Sequence, residues 1–362
     1  MRPKVIRRHA ASNAPARAPK AIARTASFEP LEPRFLFANP TLAVLPNVTV
    51  LSGAPLQVPL DGNDADVSDA LTFTATSSNP NVVPTIAPST DRSLKIVVNH
   101  ASSGAGDTAI TNETMILKLF EDKAPKTTAR IIALANSGFY NGLIFHRVIN
   151  GFMIQGGDPL GNGTGGSGVQ FDDEFDPSLQ FTGPGLIAMA KSNDDTDDSQ
   201  FFITDSEPRY LDFQHTIFGQ LVEGESTREK ASNVPTDAND KPLSPVTMTS
   251  VTVIPDIQNS VLSLAVPNNV TSGTATITVT AKDPAGHAVT RTFTVTIGPD
   301  ITGSVPNNDN PFLGLIADVT TAANTPASVT IPTIDVDGGP QFFATGGDPN
   351  ANVHYAFDFT SG

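Results

Sequence analysis

Short runs in which threonine takes turns with an apolar residue recur on both sides of this chain's middle, and they constrain its fold more than any other feature. Leu71-Thr72-Phe73-Thr74-Ala75-Thr76, Thr274-Ala275-Thr276-Ile277-Thr278-Val279-Thr280 and Arg291-Thr292-Phe293-Thr294-Val295-Thr296-Ile297 all carry this period of two. It puts alternate side chains on opposite faces and marks half-buried strands. The turn Asp283-Pro284-Ala285-Gly286 between the last two runs predicts a hairpin. With 28 Gly and 30 Pro in 362 residues, strands are favoured over long helices, and the length suits two or three modules.

Residues 39–107 and 256–300 each look like a β-sandwich module of the immunoglobulin or cadherin kind, one on either side of a central block at 108–255. Residues 301–362 begin another strand-rich stretch that reads as a partial module. The first 38 residues read as a basic, unfolded leader: Arg2, Lys4, Arg7, Arg8, Arg17, Lys20 and Arg24 stand among Ala and Pro with no acid before Glu29. No apolar run of roughly 7 to 15 residues is present, so a standard signal peptide is not supported. The stretch Phe28-Glu29-Pro30-Leu31-Glu32-Pro33-Arg34-Phe35-Leu36-Phe37-Ala38 resembles the LEPR box that opens large surface and secreted proteins of certain bacteria. That resemblance implies export and an extracellular or cell-surface location.

Beyond the leader the chain holds 14 basic and 35 acidic residues, a net charge of -21. Such a body repels phosphate backbones, which argues against nucleic-acid binding. The absence of cysteine excludes disulfides, thiolate metal sites and a Cys nucleophile. No run of about 20 apolar residues suggests a membrane-spanning helix, so envelope association would go through the flanking modules. Asp61, Asp64, Asp66 and Asp69 cluster oxygen ligands in one loop, and Asp335 and Asp337 form a smaller version. Calcium suits such loops, although solvated turns look the same and neither has the spacing of an EF-hand.

The central block opens with a strand over residues 114–120. It is followed by an amphipathic helix with Pro125 in its first turn, an apolar face of Thr128, Ile131, Ile132 and Ala135, and Gly138 as its stop. Next comes Phe145-His146-Arg147-Val148-Ile149-Asn150-Gly151-Phe152-Met153-Ile154-Gln155-Gly156-Gly157-Asp158. This run is rich in apolar, amide and guanidinium groups and has no nucleophile paired with a base, so ordinary hydrolase chemistry is not suggested. It resembles the central motif of cyclophilins. Asn162-Gly163-Thr164-Gly165-Gly166, Gly185-Leu186-Ile187-Ala188-Met189-Ala190, Ser199-Gln200-Phe201-Phe202-Ile203-Thr204 and Leu211-Asp212-Phe213-Gln214-His215-Thr216-Ile217-Phe218-Gly219 follow in the family's order.

Together with the strand patterns of the flanks, the resemblance implies a mainly β, multidomain protein. Its centre would be an eight-stranded antiparallel barrel capped by two helices, with a peptide groove on the outer face and sandwich modules on either side. It also implies a peptidyl-prolyl cis/trans isomerase that assists protein folding, takes proline-containing polypeptides and uses no cofactor. Rotation about X-Pro meets a barrier of about 18 to 20 kcal/mol, and a donor aimed at the prolyl nitrogen helps because its lone pair appears only as the bond twists. Arg147, always charged and carrying a fixed fork of donors, is the best candidate for that donor. By resemblance it is the catalytic arginine, braced by Gln155. Phe152, Met153, Phe202 and Leu211 would line the proline pocket with His215 at its floor, while Gly163, Ala190, Lys191 and Gln200 would shape the rest of the groove. His146, next to Arg147 on a strand, points to the other face and reads as structural.

Tyr210 stands where many members of the family have Trp, which implies weakened cyclosporin binding. Lys191 replaces a usual Asn, and the loop Asn193-Asp194-Asp195-Thr196-Asp197-Asp198 is unusually acidic, which would disfavour acidic peptides. Two other readings compete: a catalytically idle peptide-binding module, and a calcium-dependent structural protein.

Overall fold

The computed structural model describes residues 39–66 and 69–300, together with two short paired strands, Phe312–Leu313 and Thr333–Ile334. The leader with its LEPR-like stretch, the loop at 335–338 and the rest of 301–362 lie outside the described residues.

Nine strands form one antiparallel sheet in the order Arg147–Ile149, Met153–Gly156, Phe201–Thr204, Leu186–Met189, Ile217–Glu223, Ile110–Leu119, Ser93–His100, Val246–Ile254 and Ile144–Phe145. The first and last of these are two halves of one stretch broken at His146, so the sheet returns on itself and eight passes of chain make a barrel. At the seam the His146 amide donates to the Gln155 carbonyl at 3.0 Å. Strand alternation sends Ile154, Ile187 and Phe201 into the barrel core with Leu94, Ile96 and Leu117. It sends Met153, Ala188 and Phe202 to a separate apolar cluster on the outside.

Two helices complete this unit, α1 at Pro125–Asn136 and α2 at Glu225–Ser232. The expected apolar face of α1 is buried, with Ile131, Ile132 and Ala135 in the barrel core. No side chain at Ala124 caps α1. Instead Glu174 accepts from the Lys126 and Thr127 amides at 3.0 and 2.7 Å, setting a carboxylate against the positive end of the helix.

The segments before and after the barrel share their sheets. Ser260–Ala265 lies between Leu56–Leu60 and Val83–Ile86. Gly273–Lys282 lies between Ala288–Gly298 and Thr72–Ser77, and Val48–Leu51 runs parallel to Ala288–Gly298. These three- and four-stranded sheets close over one core that includes Val50, Leu60, Leu262, Ile277 and Val295. Residues read from sequence as two modules, 39–107 and 256–300, therefore contribute to the same pair of sheets. The strand Ser93–His100, grouped from sequence with the first module, sits in the barrel between Ile110–Leu119 and Val246–Ile254. Neither flank alone has enough strands to cover an apolar face, and their partners are too remote in sequence for a local period to record. The barrel thus stands as an insertion within the two-sheet unit.

The chain enters and leaves the barrel at one point, since Ser93 and Ile254 are cross-strand partners. There the Ser93 hydroxyl donates to Asp256 Oδ2 at 2.8 Å, and the buried Lys118 ammonium donates to the carbonyls of Asp91 and Asp256 at 2.6 and 3.1 Å.

Candidate functional site

Strand register assembles a row of side chains on the outer face of the barrel. Arg147 is the cross-strand partner of Gln155, Gln155 of Phe202, and Phe202 of Ala188. Four adjacent strands thus line up a cation, an amide, an aromatic ring and a small residue. His146, displaced by one residue, is only 6% exposed, and neither of its ring nitrogens finds a partner; burial holds its pKa below the usual histidine range.

Arg147 is half-exposed, and its Nε lies 3.3 Å from Asp240 Oδ2, itself similarly exposed. Gln155 turns instead to Gln200, donating through Nε2 to Oε1 at 3.0 Å. The expected brace on the arginine therefore comes from Asp240, in a turn where that residue adopts φ +64°. An exposed ion pair of this kind is worth at most about 1 kcal/mol, so the guanidinium can leave Asp240 at little cost.

Beside the row lies an apolar pocket. Met153 and Phe202 are buried in a cluster flanked by the partly buried Phe152, Ala190 and Leu211. Phe202 meets His215 edge-on at 5.6 Å between centroids and stacks on Phe181 at 5.8 Å. His215 Nδ1 lies 2.9 Å from the Met189 carbonyl, which requires Nδ1 to carry the proton. Tyr210 remains 62% exposed at the rim, 6.1 Å from the Phe152 ring.

Beyond Gln155 the groove continues into an open cleft of about 430 Å³ bordered by Gly163, Gly165, Ala190, Lys191 and Gln200. Its wall is held by Gln200, whose Nε2 donates to the Gly163 and Gly165 carbonyls at 3.1 and 2.8 Å. Asp158 accepts from the amides of Leu160, Asn162 and Gly163 at 2.7, 2.9 and 2.6 Å. Burial pushes the Asp158 pKa upward, but these backbone donors outweigh it and hold the carboxyl below its ordinary value. The chain reaches Asp158 through Gly157, at φ +84°, where a Cβ would lie 2.3 Å from the Ser199 carbonyl; only glycine fits there.

The Lys191 ammonium pairs with Asp173 and lies 3.4 Å from Asp194. The acidic loop is correspondingly less uniform than its sequence suggests. Asp194 is exposed, whereas Asp197 is buried and accepts from the Thr216 hydroxyl at 3.0 Å, and Asp198 accepts from the Ser167 amide at 2.9 Å.

Burial, and then the charge of Asp173, raise the Asp197 carboxyl from 3.8 to about 7. The folded state therefore holds a proton that the unfolded chain has released between those values. The stability contributed is whole below about pH 4 and is lost as pH climbs through about 7. Asp197→Asn keeps an acceptor for Thr216 and removes the charge, so it is expected to raise Tm by about 5 °C at pH 8, from roughly 2 kcal/mol. Little gain is expected at pH 4, and thermal melts showing the same difference at both pH values would refute this.

The candidates Arg147, Gln155, Phe152, Met153, Gly163, Ala190, Lys191, Gln200, Phe202, Tyr210, Leu211 and His215 thus meet around one groove. Sequence reasoning missed Asp240 and Phe181. Asp240 carried a faint signal as a turn residue after Asn239; Phe181 carried none. The loop candidates Asp61, Asp64, Asp66 and Asp69 form a turn in which Asp64 Oδ1 accepts the Asp66 amide at 2.9 Å and the Asp66 carbonyl accepts the Asp69 amide at 2.8 Å. Among the described residues no group of three or more His, Asp or Glu side chains is placed to hold a metal ion, and no helix is long and apolar enough to cross a membrane.

Comparison with known proteins matches residues 107–253 to the family described as cyclophilin type peptidyl-prolyl cis-trans isomerase/CLD. Peptidyl-prolyl cis-trans isomerase A of Mycobacterium tuberculosis is 46% identical over 175 residues, covering 43% of this chain and 96% of that protein. Human peptidyl-prolyl cis-trans isomerase-like 1 is 46% identical over 135 residues, covering 36% and 81%. A crystal structure of a Cryptosporidium parvum cyclophilin type isomerase, 34% identical, covers 45% of this chain and 98% of its own, with a TM-score of 0.41. The barrel, its outer groove and a mycobacterial relative 46% identical along 96% of its own length lead to one conclusion: this chain belongs to the cyclophilin-type peptidyl-prolyl cis-trans isomerases.

Proposed function

We propose that Arg147 drives the isomerisation by donating to the prolyl nitrogen as the X-Pro bond twists, while the pocket of Phe152, Met153, Phe202 and Leu211 grips the ring. The register row Arg147, Gln155, Phe202 carries this reading, since it sets a mobile cation beside an apolar pocket on a rigid sheet. Burying a prolyl ring of roughly 100 Å² contributes about 2.5 kcal/mol and leaves the preceding residue free to swing. Gln155 and the backbone at Lys191 hold the flanking peptide. The test is the cis-to-trans rate of a short Ala-Pro or Phe-Pro reporter with the full chain. Acceleration is expected; a folded chain that accelerates nothing would favour an idle peptide-binding module.

The substrates are X-Pro segments of exported proteins, and the enzyme works outside the cell or at its surface. The LEPR-like stretch at 28–38 supports this setting. Cell fractionation that left the protein wholly in the cytosol would refute it.

With Asp197 buried, the charge beside the groove is smaller than four carboxylates, although Asp198 still borders the cleft. Lys-rich X-Pro peptides are expected to turn over about two-fold faster than Glu-rich ones at low salt, the difference vanishing at high salt. Equal rates at low salt would rule the preference out.

A further inference from the structure

The turn Arg209–Leu211, which carries Tyr210 and Leu211, is a single 3-10 turn with no side-chain cap and no buried residue. It is followed by Phe213 in a left-handed conformation, φ +53°. Such a turn has little of its own to hold it. Gln214 Nε2 donates to the Tyr210 carbonyl at 2.8 Å, and a further hold comes from the two-sheet unit. Arg209 Nη2 lies 2.8 Å from Asp300 Oδ2, just past the strand Ala288–Gly298, while its Nε lies 2.9 Å from Asp212 Oδ2. All three side chains are at most 12% exposed, so water screens the interaction little. Asp212 Oδ1 in turn accepts the Phe181 amide at 2.5 Å, and Phe181 stacks on Phe202.

A second line of contacts reaches the same place. The Thr182 hydroxyl donates to the Pro55 carbonyl at 2.8 Å, Gln180 Nε2 donates to the Gly53 carbonyl at 3.1 Å, and Val261 packs in the cluster that contains Phe181 and Phe202. Phe181 is thereby held between the two-sheet unit and the floor of the proline pocket.

We infer that the two-sheet unit is a working part of the isomerase, and that Asp300 and Thr182 are positioning residues which set the shape of the proline pocket through Arg209 and Phe181. This rests on the pocket reading given above. Removing the Asp300 charge takes a carboxylate at 2.8 Å from a buried guanidinium, which loosens the turn and lets Leu211 swing away from Phe202. The substrate is then gripped less tightly, while Arg147, two strands away, keeps its place.

The test measures KM and kcat for an Ala-Pro reporter, with Tm alongside, on full-length wild type, Asp300→Asn, Asp300→Glu and Thr182→Val. Val279→Ala serves as a control that loosens the two-sheet core away from the pocket. Asp300→Asn and Thr182→Val are expected to raise KM about five-fold with kcat within two-fold, Asp300→Glu to recover most of the loss, and Val279→Ala to lower Tm with KM unchanged. Asp300→Asn or Thr182→Val with a lowered Tm and a wild-type KM would overturn the inference alone. If Asp300→Asn does not fold, Thr182→Val decides. A wild-type chain without activity would overturn the pocket reading, and the inference with it.

Discussion

Arg147→Ala is expected to lower kcat/KM for an Ala-Pro reporter by about 100-fold, or about 3 kcal/mol, the loss typical of deleting one donor aimed at transition-state charge. The amide loses conjugation only as it twists, so a donor to the emerging lone pair acts in the transition state and hardly in the ground state. The expected loss therefore falls on kcat. Stability should hardly change, because the side chain is half-exposed and gives up only its pair with Asp240, worth at most about 1 kcal/mol. Arg147→Lys keeps the charge without the fork and should recover only part of the rate. Single-turnover exchange measured by NMR, alongside thermal melts, checks this; an alanine variant with more than half the wild-type rate would remove Arg147 from the mechanism.

A fragment of residues 105–256 is expected to be unfolded and inactive, although it contains the whole stretch, 107–253, matched by sequence to the family. It lacks Ser93–His100, which pairs along both edges inside the barrel. Loss of the buried Leu94, Ile96 and Val98 removes roughly 6 kcal/mol of apolar burial at about 2 kcal/mol each. Two more strands are left with unpaired edges. Domains are stable by only about 5–15 kcal/mol, so the remainder should not hold. Circular dichroism and a denaturant titration read this directly, and a cooperative transition with isomerase activity in the fragment would contradict the strand's place in the barrel.

These outcomes bear on how much the sequence discloses. Helix α1, its stop at Gly138, the hairpin across the Asp283 turn and the groove residues were all legible, because each rests on a local period, a turn residue or a contiguous run. The sharing of sheets across the barrel was not. Thr72–Ser77 and Gly273–Lys282 each read as a half-buried strand, but nothing in either says which edge it joins. Ser93–His100 alternates like its neighbours and is followed by the Gly-containing segment 101–107, which resembles a boundary while lying within the barrel. Asp240, Phe181 and Asp300 escaped notice for a related reason: each acts on a residue brought to it by the fold from far along the chain.

The parallel pairing of Val48–Leu51 with Ala288–Gly298 has a mechanical consequence. Were the chain anchored at one end and pulled at the other, tension would enter through the first of these strands and leave through the second. Because the strands are parallel, that load shears their hydrogen bonds together instead of unzipping them one by one. The barrel hangs between Ser93 and Ile254, which are already cross-strand partners, so it lies off the line of force. Asp300 lies just past the loaded strand and pairs with Arg209, so stretching would reach the groove through that pair while the barrel's own strands stay unloaded.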